Sequence, residues 1–322
     1  MRASSPTSSS GPRRQRSSGR WFRLVVGLSV TLGIAGYLLL HHLTSSVPEG
    51  CTVRASGEEV DLRLDQAANA TTIAAVASSR GMPERAVAIA IATSMQESKL
   101  ENITYGDRDS LGLFQQRPSQ GWGTARQIMD PVYATNAFFT SLEKIPGYSR
   151  LPLTVAAQKV QKSGYPQAYA KHEAESAALA AALSGREPGA LRCTVHSDQA
   201  GSAAAVPGDV SAVGKRVTQE FADSAGRGQR AGRTLSFPSS VRAARGAGDP
   251  AGDRHGWALA HWAVAHAKEL RIERVAFRGR QWTAAKSDEG WRKSSANRSE
   301  PVSVAVGGAS NADGVRISVV GK

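Results

Sequence analysis

Cysteine is nearly absent: Cys51 and Cys193 are the two in 322 residues. Two thiols cannot assemble a four-cysteine zinc site, a C-x-x-C redox pair or a disulfide-dense scaffold. Acidic residues are missing from the first 23 positions, and charge of either sign is missing from Leu24 to Leu40. No repeat of 20–50 residues recurs, which excludes solenoids and propellers. What is present is a chain 41% hydrophobic and 21% charged, enough for a packed core and unlike collagen, coiled coil or wholesale disorder. At roughly 100–200 residues per domain, it has room for about two domains and some extensions.

The net charge of +13 is unevenly spread: residues 1–23 carry +6, residues 24–208 carry −1 and residues 209–322 carry +8. A basic end could meet nucleic acid, anionic lipid or an acidic polymer, and the neighbouring segment decides among them. The uncharged run LVVGLSVTLGIAGYLLL follows Arg13, Arg14, Arg16, Arg20 and Arg23 and is bracketed by Trp21 and Tyr37. It is near the short limit for a spanning helix and longer than the ~7–15 apolar residues of a signal-peptide core. The expected order is a basic cytoplasmic tail over 1–23 and a single-pass anchor over 24–42, with the arginines inside and the bulk of the chain extracytoplasmic. A cleaved signal peptide is the alternative, and it exports the remainder equally well. Export removes nucleic acid as a partner and favours a wall polymer or anionic surface.

In an exported chain the pair Cys51 and Cys193 suggests a disulfide, with two unpaired thiols as the alternative. If formed, the bridge closes a long loop and delimits a first domain over 48–193. Within it, helical patterning runs through ANATTIAAVASSRG, PERAVAIAIATSMQES, DPVYATNAFFTSLEKI, LTVAAQKVQKS and HEAESAALAAALSG. The small residues of 194–212 read as a linker. Over 213–322, GWALAHWAVAHAKEL reads as a helix and RIERVAFRG, RQWTAA, PVSVAVGG and GVRISVVG as strands, giving a small α+β unit.

The helix opening at Pro83 is Ala, Val and Ile almost throughout, the pattern of a buried central helix. It ends in Met-Gln-Glu-Ser and so places Glu97 at the edge of the core. Partial desolvation there raises a carboxyl's pKa toward the range a general acid needs. Next comes YGDRDSLGLFQQRPSQGWG, in which Gly106 and Gly112 mark turns and Gln115 and Gln116 offer amides to sugar hydroxyl and acetamido groups. Trp122 is a candidate for stacking on a sugar ring.

Glu97-Ser98 at the end of a buried helix, followed by Ser110-Leu111-Gly112-Leu113-Phe114-Gln115, resembles the lysozyme-like fold in its soluble lytic transglycosylase and goose-type lysozyme branch. The stretch AAQKVQKSGYPQAY over 156–169 lies where that family carries Ala-Tyr-Asn, and the likeness spans about residues 65–184. The resemblance implies peptidoglycan as substrate and no cofactor. Glu97 would be the catalytic acid, with Ser98, Ser110, Gly112, Leu113, Phe114, Gln115, Gln116, Gln158, Tyr165 and Tyr169 around the substrate. Where the family has Tyr-Asn, this chain has Gln158 or Gln161, and Tyr165 or Tyr169 is the candidate substitute for the absent ring hydroxyl. A hydrolase would need a second carboxylate, for which Asp107 and Asp109 are nearest in sequence; a transglycosylase would not.

The run GWALAHWAVAHAKELRIERVAFRGRQW and then EPVSVAV resembles a C-terminal module related to D-Ala-D-Ala carboxypeptidase-like zinc peptidases. That family's late strand carries Asp-His-x-His, whereas Glu300-Pro301-Val302-Ser303-Val304 offers no imidazole, so no metal is expected. His255, His261 and His266 do not share one helical face and read as packing or surface residues. The combined expectation is an α-rich lysozyme-like domain plus a small α+β C-terminal domain, after one N-terminal transmembrane helix. Its function would be cleavage of peptidoglycan glycan strands from Glu97, with anionic wall polymers as further partners. The rival is a non-catalytic wall-binding or scaffolding protein in which both enzyme-derived folds are inactive.

Overall fold

The computed structural model describes residues 18–44, 47–162, 167–196, 206–239, 250–294 and 314–321. Two compact units emerge, Met1–Val47 and Pro48–Lys322. In the first, α1 (Ser18–Thr44) is a 27-residue helix whose described side chains, Trp21 to Tyr37, are all exposed. No helix among the described residues is long and apolar enough to cross a membrane. The expected span 24–42 runs past Tyr37, the last of the described side chains of α1.

The second unit opens with an antiparallel hairpin, β1 (Gly50–Ala55) and β2 (Glu58–Leu62). On the other edge of β1 lies β3 (Leu191–Thr194), where Cys51 faces Cys193 as a direct cross-strand pair and the two are joined by a disulfide. Between these strands the chain winds through five helices: α2 (Leu64–Ser79), α3 (Glu84–Ser98), the short α4 (Ala125–Ile128), α5 (Pro131–Glu143) and α6 (Leu153–Gln161). A further helix, α7 (Glu173–Leu183), leads back to β3. Helix α3 is buried from Ala86 to Ser94 because it is apolar on every side, and it packs against α7, α6, α2 and α5.

Beyond the linker come α8 (Val210–Phe221), β4 (Gln229–Ala231), β5 (Thr234–Phe237), α9 (Pro250–Ala265) and α10 (Ala267–Leu270). Four strands follow: β6 (Ile272–Phe277), β7 (Arg280–Thr283), β8 (Arg292–Lys293) and β9 (Val315–Val319). They form an antiparallel sheet in the order β4-β5-β9-β6-β7-β8. The expected strand PVSVAVGG and the segment Glu300–Val304 lie outside the described residues, as does part of the linker. Helix α8 begins at Val210, inside the stretch read as linker, capped by the Asp209 carboxylate accepting from Ser211 N at 2.7 Å.

The two parts that composition divides are packed on one another. Helix α9 lies against α2, α7 and β3 of the first part and against β6 and β9 of the second. Its residues Gly256 to Ala265 are buried, as an all-round apolar helix requires. The free edge of β3 is covered by tryptophans: Trp282 Nε1 donates to Cys193 O at 3.0 Å and Trp291 Nε1 to Leu191 O at 2.8 Å. Ser287 Oγ bonds both the N–H and the carbonyl of Val195. These bonds satisfy edge groups that would otherwise be buried unpaired.

Between α8 and α9 lies a buried ionic cluster. Glu220 is fully buried and accepts from Arg216 Nε at 2.5 Å and Trp262 Nε1 at 2.8 Å, with His266 Nε2 at 3.8 Å. His261, also fully buried, holds the Ala182 carbonyl through Nδ1 at 2.9 Å, and burial pushes its pKa down to about 4. His255 meets the Phe221 ring edge-on, and its pKa is likewise lowered by burial.

Candidate active site around Glu97

The last turn of α3 carries Glu97, and the chain then reverses through two left-handed residues, Lys99 (φ 57°) and Leu100 (φ 62°). Neither is glycine, so the reversal stores about 1–2 kcal/mol per residue. It is held from both ends. Lys99 N donates to Met95 O and Leu100 N to Ser94 O, a paired C-terminal cap. From α2, Gln66 Nε2 reaches Lys99 O at 2.8 Å and Asn69 Nδ2 reaches Leu100 O at 2.7 Å. The result fixes Glu97 half-buried on the final turn.

Tyr169, fully buried, donates from its hydroxyl to Glu97 Oε1 at 2.8 Å. One carboxylate oxygen is therefore oriented by a phenol contributed from the segment just before α7. Of the two tyrosines named as substitutes, Tyr169 makes this contact, and Tyr165 lies outside the described residues.

The neighbouring turn is built on Leu111 and Gln116, whose backbones exchange two hydrogen bonds at 3.0 and 3.1 Å. Gly112 adopts φ 74° there, and a Cβ on it would stand 2.7 Å from Ile128 O, so only glycine fits. Ser98 Oγ donates to Leu113 O at 2.7 Å, and Gln161 Nε2 donates to Phe114 O at 2.8 Å. These two bonds latch the turn to the ends of α3 and α6. Phe114 stacks on Phe138 with centroids 4.6 Å apart.

Several residues expected around the substrate are built into this architecture. Leu113 and Phe114 are fully buried, Ser98, Ser110, Gly112 and Gln116 are buried, and the carbonyls of Leu113 and Phe114 are already bonded. Gln116 donates its amide nitrogen to Ala134 O at 3.1 Å, so it braces the turn against α5. Gln115 is half-buried and its amide nitrogen spans Tyr105 O and Gly112 O at 3.3 and 3.2 Å, while Gln158 sits half-buried on α6. Only the nitrogen end of the Gln116 amide is satisfied, by Ala134 O; its Oε1 is buried without a hydrogen-bond partner among the described residues.

The two acids in the preceding loop differ. Asp109 accepts from Arg117 Nε at 2.7 Å, from Ser119 N at 2.8 Å and from Ser119 Oγ at 2.9 Å. The Arg117 guanidinium first, and then these Ser119 donors, hold its carboxyl well below the usual carboxylate range. Asp107 is 92% exposed beside Arg108, whose Nε is 3.9 Å away. Sequence reasoning named Gln161 only as an alternative at the family's Tyr-Asn position, and it missed Tyr105. Gln161 latches the turn, and Tyr105 exposes 71% of its surface on the same loop. An exposed aromatic beside a polar turn is a usable platform for a sugar ring, whereas Trp122 is packed partly against the core.

Among the described residues no group of three or more His, Cys, Asp or Glu stands close enough to hold a metal ion. Two clefts, of about 470 and 290 Å3, are lined by residues other than Glu97. Comparison with known families matches residues 201–303 to the family described as VldE, C-terminal domain. That span runs from α8 to β8 and does not include Glu97, Tyr169 or the latched turn. No curated protein matches the chain.

Proposed function

We propose that the protein is a membrane-anchored, extracytoplasmic wall protein that cleaves peptidoglycan glycan strands, with Glu97 as its catalytic acid and base. The observation that carries this reading is the hydrogen bond from the buried Tyr169 hydroxyl to Glu97 Oε1. A phenol bound to one oxygen leaves the other as the seat of a transferable proton, which is what a general acid needs. The reading rests on the resemblance of the Glu97-Ser98 and Ser110–Gln115 elements to lytic transglycosylases, and the bond supplies the hydroxyl absent at Gln158.

In this mechanism Glu97 gives its proton to the glycosidic oxygen of the muramyl residue as the bond from that oxygen to C1 breaks. The muramyl 6-hydroxyl then attacks C1 and returns its proton to Glu97, giving an anhydro end. No second carboxylate is required. The closed network around Asp109 speaks against that residue as a hydrolase's second carboxylate, because a carboxylate already accepting from Arg117 and Ser119 is poorly placed to activate water, and leaves exposed Asp107 as the remaining candidate. The apolar, arginine-flanked Leu24–Leu40 supports the anchor.

The test is to incubate the full chain in mild detergent, and its Glu97→Gln variant, with isolated sacculi and to analyse released muropeptides by mass spectrometry. Anhydro-muropeptides from the wild type alone are expected. Reducing ends would replace the transglycosylase with a hydrolase. Release of nothing by either protein, with both sedimenting on the sacculi, would establish the non-catalytic binding reading.

A further inference from the structure

The cleft of about 470 Å3 lies where β1, β3 and the segment before β3 meet the loop from β7 to β8. Its lining includes three guanidinium groups, Arg54, Arg192 and Arg280, two carboxylates, Glu187 and Glu289, and the indole of Trp291. The charges are not evenly satisfied. Arg54 forks onto Glu59 at 2.8 and 2.9 Å. Glu187 accepts from Ser56 N and Oγ at 2.9 and 3.0 Å, and Glu289 pairs with Arg292 at 3.1 Å and Lys286 at 3.5 Å.

Arg192 and Arg280 are left over. Among the described residues neither is paired with a carboxylate. Arg192 stands beside the Arg54–Glu59 pair and contributes only a field at Glu59. Arg280 makes one long bond, from Nη1 to Pro188 O at 3.5 Å, and its guanidinium lies 5.8 Å from the Trp257 ring centroid.

Both side chains are positioned by glycines. A Cβ on Gly189 would stand 3.0 Å from Arg280 Nη1 and 3.5 Å from the Trp291 ring, so a bare backbone lets these groups close over that wall. A Cβ on Gly290 would stand 2.5 Å from Arg192 Cδ, so the arginine stem crosses the cleft wall where a side chain would block it. Trp291 is held by its bond to Leu191 O and by an edge contact with Trp257 at 5.1 Å. Two unneutralised forks beside a fixed indole are suited to one planar anion attached to an apolar group. With Arg54 paired to Glu59 and Glu289 to Arg292 and Lys286, the two remaining guanidinium groups beside Glu187 suit a small anion better than a polyphosphate.

We propose that this cleft binds the terminal carboxylate of a short peptide, with Arg192 and Arg280 on the carboxylate and Trp291 against the adjoining apolar side chain. The site is independent of Glu97 and of glycan cleavage.

The experiment is calorimetric titration of the full chain in mild detergent with N-acetyl-alanyl-alanine and with its C-terminal amide. The carboxylate form should bind, more weakly as salt rises, and the amide should not. Arg192→Gln and Arg280→Gln should each lower affinity about tenfold or more. Arg280→Lys, which keeps the charge but loses the fork, should fall between. Melting curves matching wild type confirm that each variant is folded, as expected for exposed or half-buried side chains. Absence of binding at millimolar peptide, equal binding of the amide, or unchanged affinity in both glutamine variants would overturn the proposal. Equal competition by glycerol 3-phosphate would overturn the preference for carboxylate.

Discussion

The hydroxyl of Tyr169 and the carboxylate of Glu97 meet at 2.8 Å although 72 positions separate them in the chain. Tyr169 is fully buried, so its ring is held by packing independently of the hydroxyl's bond to the acid. Glu97 is fixed separately, by the left-handed pair Lys99 and Leu100 that Gln66 and Asn69 hold in place. An acid held on two independent supports loses little freedom when substrate binds.

On the proposed function, Tyr169→Phe should reduce muropeptide release from sacculi by about tenfold or more, because the carboxylate loses its orienting donor. Stability should change by no more than about 1 kcal/mol, since the ring still fills its site. Parallel turnover and urea-denaturation measurements check this, and equal turnover in the variant would remove Tyr169 from the mechanism.

The latch between α3 and the turn makes a second prediction. Ser98→Ala leaves Leu113 O buried without its donor and should cost about 1–3 kcal/mol. Gly112→Ala should cost about 2 kcal/mol or more, because it adds an unfavourable positive φ and a contact of 2.7 Å to Ile128 O. Denaturant midpoints measured on both variants decide whether the turn is held as described.

The disulfide joins neighbours across 142 positions of sequence, so its reduction releases a large loop in the unfolded chain. Cys51→Ser with Cys193→Ser should lower unfolding free energy by roughly 4–5 kcal/mol on the chain-entropy account. Since β1 and β3 also pair through their backbones, the folded contacts should survive. Denaturation with and without reductant measures the loss, and an unchanged midpoint would contradict it.

His261 sets a pH dependence. Its folded pKa, about 4, lies below the unfolded value of 6.5, chiefly because burial disfavours the charged ring. The unfolded chain then binds an extra proton across that interval. Stability is fully present above about pH 6.5 and is lost as pH falls toward 4, by about 3 kcal/mol for this residue. His266 is shifted in the same direction, chiefly by burial, and adds to the loss. Urea denaturation from about pH 7 to 4 should show the decline, and His261→Gln should make it shallower while the His266 contribution remains.

The helices of 64–98 and 131–183 were legible because their apolar residues recur with helical spacing, and Pro83 falls at the start of α3 as expected. β6, β7 and β9 were legible from alternation. β1, β2 and β3 were not, since each is short and its pairing joins distant segments. Helix α8 hid behind a run of small residues that reads as linker, although its narrow apolar stripe Val210, Val213 and Val217 carries the signal.

The sequence by itself determined the main helices and the strands β6, β7 and β9, that α3 is central, and that an acid stands at the end of a buried helix. Those properties follow from periodicity along a few turns of chain. Only the tertiary structure decided that Tyr169 serves Glu97, that Gln116 and Gln161 brace a turn, and that Arg192 and Arg280 share a cleft. Side chains that meet across tens of residues are brought together by packing of whole elements, and local pattern carries no record of that distance.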